Sequence, residues 1–196
     1  SNSFTGALTL STTGSSANAT IDGGTTALDF ATSTIGGNLT GTSGDSITDS
    51  GVITVGGTAS FTTDTSDKLI TLNSQNAITG QVTFSTIGTG GDVTLDNGTT
   101  AISLGTISSG DIGGDFILLT DAAQTISSAI TLSGSGAALS ITVDNGNSLN
   151  VQAALTTNAG NITLSADNDV IFTAAGDLTS NNGSISVTAD DDSTSD

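Results

Sequence analysis

The side chains that could do chemistry in this chain are aspartates and a single lysine. All 19 acidic residues are Asp, Lys68 is the only basic residue, and His, Cys, Tyr and Glu are absent. A serine nucleophile needs a neighbouring base, and only Asp or Lys68 could be that base. Paired carboxylates can hydrolyse glycosides, but the run Asp190, Asp191 and Asp192 lies in a Ser-rich end without aromatic sugar platforms. The sequence therefore predicts no catalytic residue, and we expect that the protein is not an enzyme.

The same aspartates are the candidates for a metal site. A net charge of −18 produces strong self-repulsion, and Ca²⁺, which prefers carboxylate and carbonyl oxygens, would relieve it. The chain contains neither an EF-hand loop nor a G-G-x-G-x-D array. Asp190, Asp191 and Asp192 are therefore kept as candidate calcium ligands. The alternative is that Asp fills turns and keeps the protein soluble. No other cofactor is predicted.

Three further features could have a functional meaning. Lys68 lies beside Asp67 and near Asp64, which predicts a local surface ion pair of little energetic value. Sequons for N-glycosylation occur at Asn18, Asn38, Asn97, Asn161 and Asn182. A chain this rich in Asn, Ser and Thr contains such triplets by chance, so glycosylation stays open.

Ice binding would need regular Thr-x-Thr ladders on a flat face. Thr40-Gly41-Thr42 is isolated in the sequence, and most strand-like segments place one Thr between two apolar residues. On the sequence alone we do not expect ice binding.

Charge and hydropathy limit the partners. One Lys cannot hold a nucleic acid or an anionic membrane surface. No segment approaches the roughly 20 apolar residues of a membrane span. The chain begins at Ser1 and shows no signal peptide. We therefore expect an internal or processed segment of a longer protein.

The composition predicts an all-β fold. Helix-favouring Glu, Lys, Arg and Met are nearly absent, whereas strand-favouring Thr, Val and Ile are abundant. Triplets such as Ile53-Thr54-Val55, Ile130-Thr131-Leu132 and Ile162-Thr163-Leu164 alternate apolar and polar residues, which is typical of strands with one buried face. Gly-Gly and Asp-Asn-Gly segments between them indicate turns.

A longer repeat is also visible. Residues 19–30 resemble residues 93–104, residues 35–55 resemble 112–132, and 93–95 resemble 162–164. The separation in residue number between the two matching segments differs among the three pairs. In each pair it is roughly one third of the chain length or slightly more, and this separation is the length of the repeating unit. They predict one continuous repeat segment over residues 1–196, with supra-repeats at 19–92, 93–161 and a partial copy at 162–196. Self-similarity with insertions in turns is typical of stacked repeats.

Two folds fit these repeats. A right-handed parallel β-helix of about eight or nine coils is favoured, because the strands are short and Pro, which cannot donate to a strand ladder, is absent. The alternative is a series of tandem antiparallel β-sandwiches, but no Trp, Tyr or Cys is available to anchor a sandwich core.

Two segments carry a family resemblance. Ile35–Thr40 and Ile47–Ala59, with Ile70-Thr71-Leu72 leading to Gly80-Gln81-Val82, resemble the repeats of filamentous-haemagglutinin-like exoproteins of Gram-negative bacteria. The resemblance implies a right-handed parallel β-helix and a role in adhesion, biofilm or surface filaments.

These observations together predict a structural, non-catalytic rod or filament segment of an extracellular bacterial surface protein or adhesin. Its expected partners are neighbouring repeats of the same chain or like subunits in a filament. Two alternatives remain: a module that binds a glycan or a cell-surface protein, and a calcium-rigidified stalk.

Overall fold

Short strands with alternating buried and exposed side chains build the protein. The computed structural model describes residues 2–190. In this range there is no helix, and every strand pairing is parallel. The strands stack into a β-solenoid, which confirms the predicted parallel β-helix. The sandwich alternative is wrong, because it requires antiparallel pairs.

The strands belong to five sheets. The longest, called the long sheet below, contains eight strands: β2 (Leu28–Phe30), β5 (Ile47–Asp49), β8 (Ile70–Leu72), β11 (Val93–Asp96), β13 (Phe116–Thr120), β16 (Leu139–Val143), β19 (Ile162–Ala166) and β22 (Ile185–Ala189). A five-stranded sheet contains β1 (Ala19–Asp22), β4 (Leu39–Ser43), β7 (Ala59–Ser66), β10 (Gln81–Ile87) and β12 (Ser103–Leu104).

The other three sheets have three strands each. They are formed by β3 (Ser33–Ile35), β6 (Ile53–Val55) and β9 (Ala77–Ile78); by β14 (Gln124–Ile126), β17 (Leu149–Val151) and β20 (Val170–Phe172); and by β15 (Ile130–Leu132), β18 (Leu155–Thr157) and β21 (Leu178–Ser180). Each complete coil thus crosses the long sheet and two others, except the coil between β11 and β13, in which β12 is the one intervening strand.

The long sheet sets the repeat of the solenoid. Ile47 pairs with Ile70, Ile70 with Val93, and the same step in residue number continues without change to Ile185. Only the first step, from Leu28 to Ile47, is shorter. Because successive strands are in register, apolar side chains stack directly on one another and form a continuous buried column.

The solenoid has about seven turns rather than the eight or nine that the sequence suggested. The first residues explain the difference. Leu8 and Ser11 form only isolated bridges to Phe30 and Thr34, so this segment covers the first coil without completing one of its own. At about 4.8 Å per step the long sheet extends roughly 34 Å along the axis.

The apolar core is aliphatic except for a row of phenylalanines. Phe30, Phe61, Phe84 and Phe116 have ring centroids 6.2, 6.2 and 5.8 Å apart along the row. A Cβ at Gly41 would come within 3.3 Å of Phe30 and 3.4 Å of Phe61. The glycine therefore leaves the space that these two rings fill.

Before β11 the coils combine the long sheet with the five-stranded sheet and the β3–β6–β9 sheet, and after β13 they combine it with the other two three-stranded sheets. Two side-chain amides support the backbone at this change of sheets. Asn97 accepts a hydrogen bond from the Ile78 N–H at 2.9 Å and donates to its carbonyl at 3.1 Å. Gln124 makes the same pair of bonds with the backbone of Ile102, both at 2.8 Å. Each amide thus takes the place of a neighbouring strand and satisfies buried backbone groups.

Candidate functional site

The corner where the chain leaves the long sheet is the candidate site, because aspartates stack there. Asp121, Asp144, Asp167 and Asp190 each follow a strand of that sheet by one position, and successive members are one coil apart. We call these four residues the acidic column. Their backbones continue the ladder: the Asp144 N–H donates to the Thr120 carbonyl at 2.9 Å.

The acidic column does not form a metal centre within residues 2–190. In this range no three carboxylates converge as metal ligands would. The Asp167 carboxylate instead accepts a hydrogen bond from the Gly146 N–H at 3.1 Å. Of the predicted calcium ligands, Asp190 closes the column, whereas Asp191 and Asp192 lie outside the described residues. Calcium binding by these three stays a prediction.

Two further aspartates at this corner are partly withdrawn from water. Asp49 is buried and accepts hydrogen bonds from the N–H groups of Asn73 and Ser74 and, at 2.6 Å, from the Asn76 amide. Burial raises the pKa of Asp96 above 3.8, its ordinary value. The Gly98 N–H opposes this rise, and the charges of Asp121 and Asp49 add to it.

We expect Asp96→Asn to raise the melting temperature at neutral pH. The raised pKa means that the folded state binds the proton more tightly than the unfolded chain, so Asp96 lowers stability as the pH rises above 3.8. Asn removes this penalty and keeps an oxygen for the Gly98 N–H. The gain should shrink as the pH falls towards 3.8.

The control for this prediction is Asp177→Asn, which removes an exposed carboxylate of the same solenoid. Thermal melts of both variants across acidic and neutral pH separate the local effect from the general relief of negative charge. An equal gain from both variants would contradict the role assigned to burial at Asp96.

Aspartate and asparagine side chains also bridge coils at the corners before strands. Asn18 accepts from the Asn38 N–H, and Asp92 accepts from the Asp115 N–H, both at 2.8 Å. Asp115 in turn accepts from the Ala138 N–H at 2.8 Å. These bonds are structural and support the interpretation that Asp fills turns.

Lys68 forms an ion pair with Asp45, with 2.9 Å between Nζ and Oδ1. The predicted partners Asp64 and Asp67 are wrong. Asp45 precedes Lys68 by one full coil, so the pair joins equivalent positions of successive coils. The hydrogen bond from Lys68 is the main cause that lowers the pKa of Asp45. Both side chains are exposed enough for solvent to weaken the pair.

The five sequons differ in accessibility. Asn97 is fully buried, and its amide donates to the carbonyls of Ile78 and Thr100. It cannot carry a glycan in the folded protein. The other four sequon asparagines are exposed: Asn18, Asn38, Asn161 and Asn182. The five sequons look alike in the sequence, because burial of Asn97 depends on the change of sheets around it.

Two shallow clefts lie on the surface. One is lined by Phe4 to Ala7 with Ala27 and Asp29, and the other by Thr86 to Thr89 with residues such as Gly110 and Ile112. The first contains one titratable side chain and the second none. Neither arrangement provides the acid and base that hydrolysis would need.

Residues 16–85 match a family described as "Repeats of unknown function (DUF5649)". The matched segment begins before β1 and ends within β10, so it covers about three coils. No curated protein and no solved structure matches the chain. The match supports the repeat character of the chain, over less than half of its length.

Proposed function

We propose that this chain is a non-catalytic rod segment of an extracellular bacterial surface protein or adhesin. The observation that carries the proposal is the unbroken stacking of the long sheet over eight strands. Its backbone hydrogen bonds run along the solenoid axis, so a pull on the ends loads many bonds together. The resemblance to filamentous-haemagglutinin-like repeats supports the extracellular setting.

The last coil supports stacking on further coils or like subunits. Ile185 and Val187 are 45% and 44% exposed, although they continue columns in which Ile162 and Leu164 are fully buried. Apolar side chains in this arrangement gain free energy when another coil covers them. Within residues 2–190, one edge of β22 has no partner strand and offers the matching backbone groups.

The open end predicts a gradient of protection along the rod. We expect amides of β22 to exchange with deuterium much faster than those of β16, because in the described part of the chain β22 is an edge strand whereas β16 lies between β13 and β19. Hydrogen exchange followed by peptic-fragment mass spectrometry measures this. Equal protection in both strands would argue against an open end.

Two experiments test the proposed function. Antibodies raised against residues 2–190 should label intact cells of the source bacterium without permeabilisation, and labelling only after permeabilisation would refute the extracellular setting. Force spectroscopy of the chain held between two marker domains tests the mechanical part. Extension at forces too low to unfold the markers would refute a load-bearing rod.

The calcium-rigidified alternative makes a different prediction. Melting curves with and without EDTA, at constant ionic strength, would separate it from the plain rod. The plain rod predicts identical curves, whereas a calcium-dependent stalk predicts a lower melting temperature after chelation.

A further inference from the structure

Two columns of hydroxyl side chains lie side by side on the outer surface of the five-stranded sheet. One column is formed by Thr40, Ser60 and Thr83, and the other by Thr42, Thr62 and Ser85. We call these six residues the hydroxyl array. The paired registers place the members of each column directly across from one another.

The hydroxyl array was not apparent from the sequence. Thr40-Gly41-Thr42 looked isolated because the next two rows replace one threonine by serine and enclose a phenylalanine. Phe61 and Phe84 point into the core, so Ser60 and Thr62, and likewise Thr83 and Ser85, remain outside as hydroxyl pairs. The register of the coils converts three unlike triplets into one regular pattern.

The hydroxyls of the array are free to bind an external partner. Among the described residues, none of the six has a side-chain hydrogen bond. Hydroxyls on the inner side of the same strands behave differently: Ser43, Thr63 and Thr86 donate to backbone carbonyls of Thr26, Lys68 and Gly91.

The array is also uncharged in a strongly acidic protein. Two carboxylates border the array without belonging to it: Asp22 is in register with Thr42, and Asp64 follows Thr62 by two positions on the outer face of β7. The six hydroxyls themselves offer an ionic ligand no countercharge, and a sugar ring would find no aromatic side chain among them to stack on. The surface therefore suits a neutral partner that exchanges hydrogen bonds with a repeating set of hydroxyls.

The spacing of the array is fixed by the sheet. Rows are about 4.8 Å apart and the two columns about 6.6 Å apart, because side chains on one face alternate along a strand. The threonines have one strongly restricted side-chain torsion. Waters that bridge neighbouring hydroxyls of the array would take up its two spacings.

We propose that the hydroxyl array binds the surface of ice crystals. An uncharged, rigid, two-dimensional grid of hydroxyls and methyls can hold a layer of water molecules that becomes part of the surface of an ice crystal. This goes beyond the proposed rod function and does not depend on it.

The test uses the whole chain and a pair of matched double variants. Thr42→Lys with Thr62→Lys places two long, charged side chains within the array. The control, Thr131→Lys with Thr156→Lys, makes the same change at paired outward positions of β15 and β18, where one hydroxyl lies between two apolar residues of β15. Far-UV circular dichroism and melting temperature establish that both variants are folded.

Ice crystals grown slowly in the protein solution report the outcome. The unchanged chain and the control variant should shape crystals into facets and slow recrystallisation, whereas the array variant should give the round crystals of buffer. If the array variant melts lower than the control, the single change Thr62→Lys replaces it. Round crystals from the unchanged chain, or equal loss in array and control variants, would overturn the proposal.

Discussion

Phe61→Ala is expected to lower the free energy of unfolding by about 3–5 kcal/mol, the range for removing a buried phenylalanine ring. Phe61 is fully buried in the middle of the phenylalanine row, with ring centroids 6.2 Å from Phe30 and 6.2 Å from Phe84. Gly41 lies against the ring and has no side chain that could move into the cavity. The narrow core therefore cannot close over the lost ring.

Urea denaturation followed by far-UV circular dichroism measures this loss, since the chain has neither Trp nor Tyr as a fluorescent reporter. Phe172→Ala is the matched control. Phe172 is 41% exposed, so its removal should cost only about 1 kcal/mol. Equal losses at the two positions would show that the phenylalanine row does not hold the coils together.

The strand pattern was predictable from the sequence because each strand is local in origin. Ile162-Thr163-Leu164 has the alternation of a half-buried strand, and it forms the start of β19 with both apolar residues buried. The absence of helix-favouring residues excluded helices. Parallel stacking followed from short, repetitive strands without proline.

The coil length was harder to predict, because sequence likeness and spatial stacking do not coincide in the first half. The likeness between Val93 and Ile162 spans three coils and relates two strands of the long sheet. The likeness between Ala19 and Val93 instead relates the five-stranded sheet to the long sheet. The shorter first coil and the change of sheets after β11 mean that similar sequence segments occupy different positions within their coils. The division into supra-repeats stays a prediction.

Contacts between coils are also not apparent from neighbouring residues in the sequence. The Lys68–Asp45 pair joins residues one coil apart, whereas Asp64 and Asp67 are neighbours of Lys68 only in the sequence. The stacked aspartates were predicted as turn residues, but not their alignment. Once the coil period is known, both the ion pair and the acidic column can be found from residue numbers.

Asn97 stabilises the point where the coils change from one set of sheets to the other, because its side chain pairs with backbone groups that have no neighbouring strand there. Its amide occupies the place of a strand beside Ile78, accepting at 2.9 Å and donating at 3.1 Å, and it donates a further bond to the Thr100 carbonyl at 2.9 Å. The side chain is fully buried, so water cannot easily replace it. Buried backbone groups left without partners cost roughly 1–3 kcal/mol each.

We therefore expect Asn97→Ala to lower the free energy of unfolding by about 2–4 kcal/mol, because it leaves both backbone groups of Ile78 unpaired. Asn182→Ala is the matched control: Asn182 also precedes glycine within a sequon, but it is exposed and should change stability by less than about 0.5 kcal/mol. Urea denaturation compares the two.

Asn97→Asp sharpens the same test by changing only the donor. The new carboxyl keeps the oxygen that faces the Ile78 N–H, but when ionised it cannot donate to the Ile78 or Thr100 carbonyls. Burial disfavours the ionised form, so the folded state should hold the proton more tightly than the unfolded chain. The variant should then be least stable at neutral pH and recover as the carboxyl protonates. A loss of stability that does not change with pH would show that the donated bonds are not what Asn97 contributes.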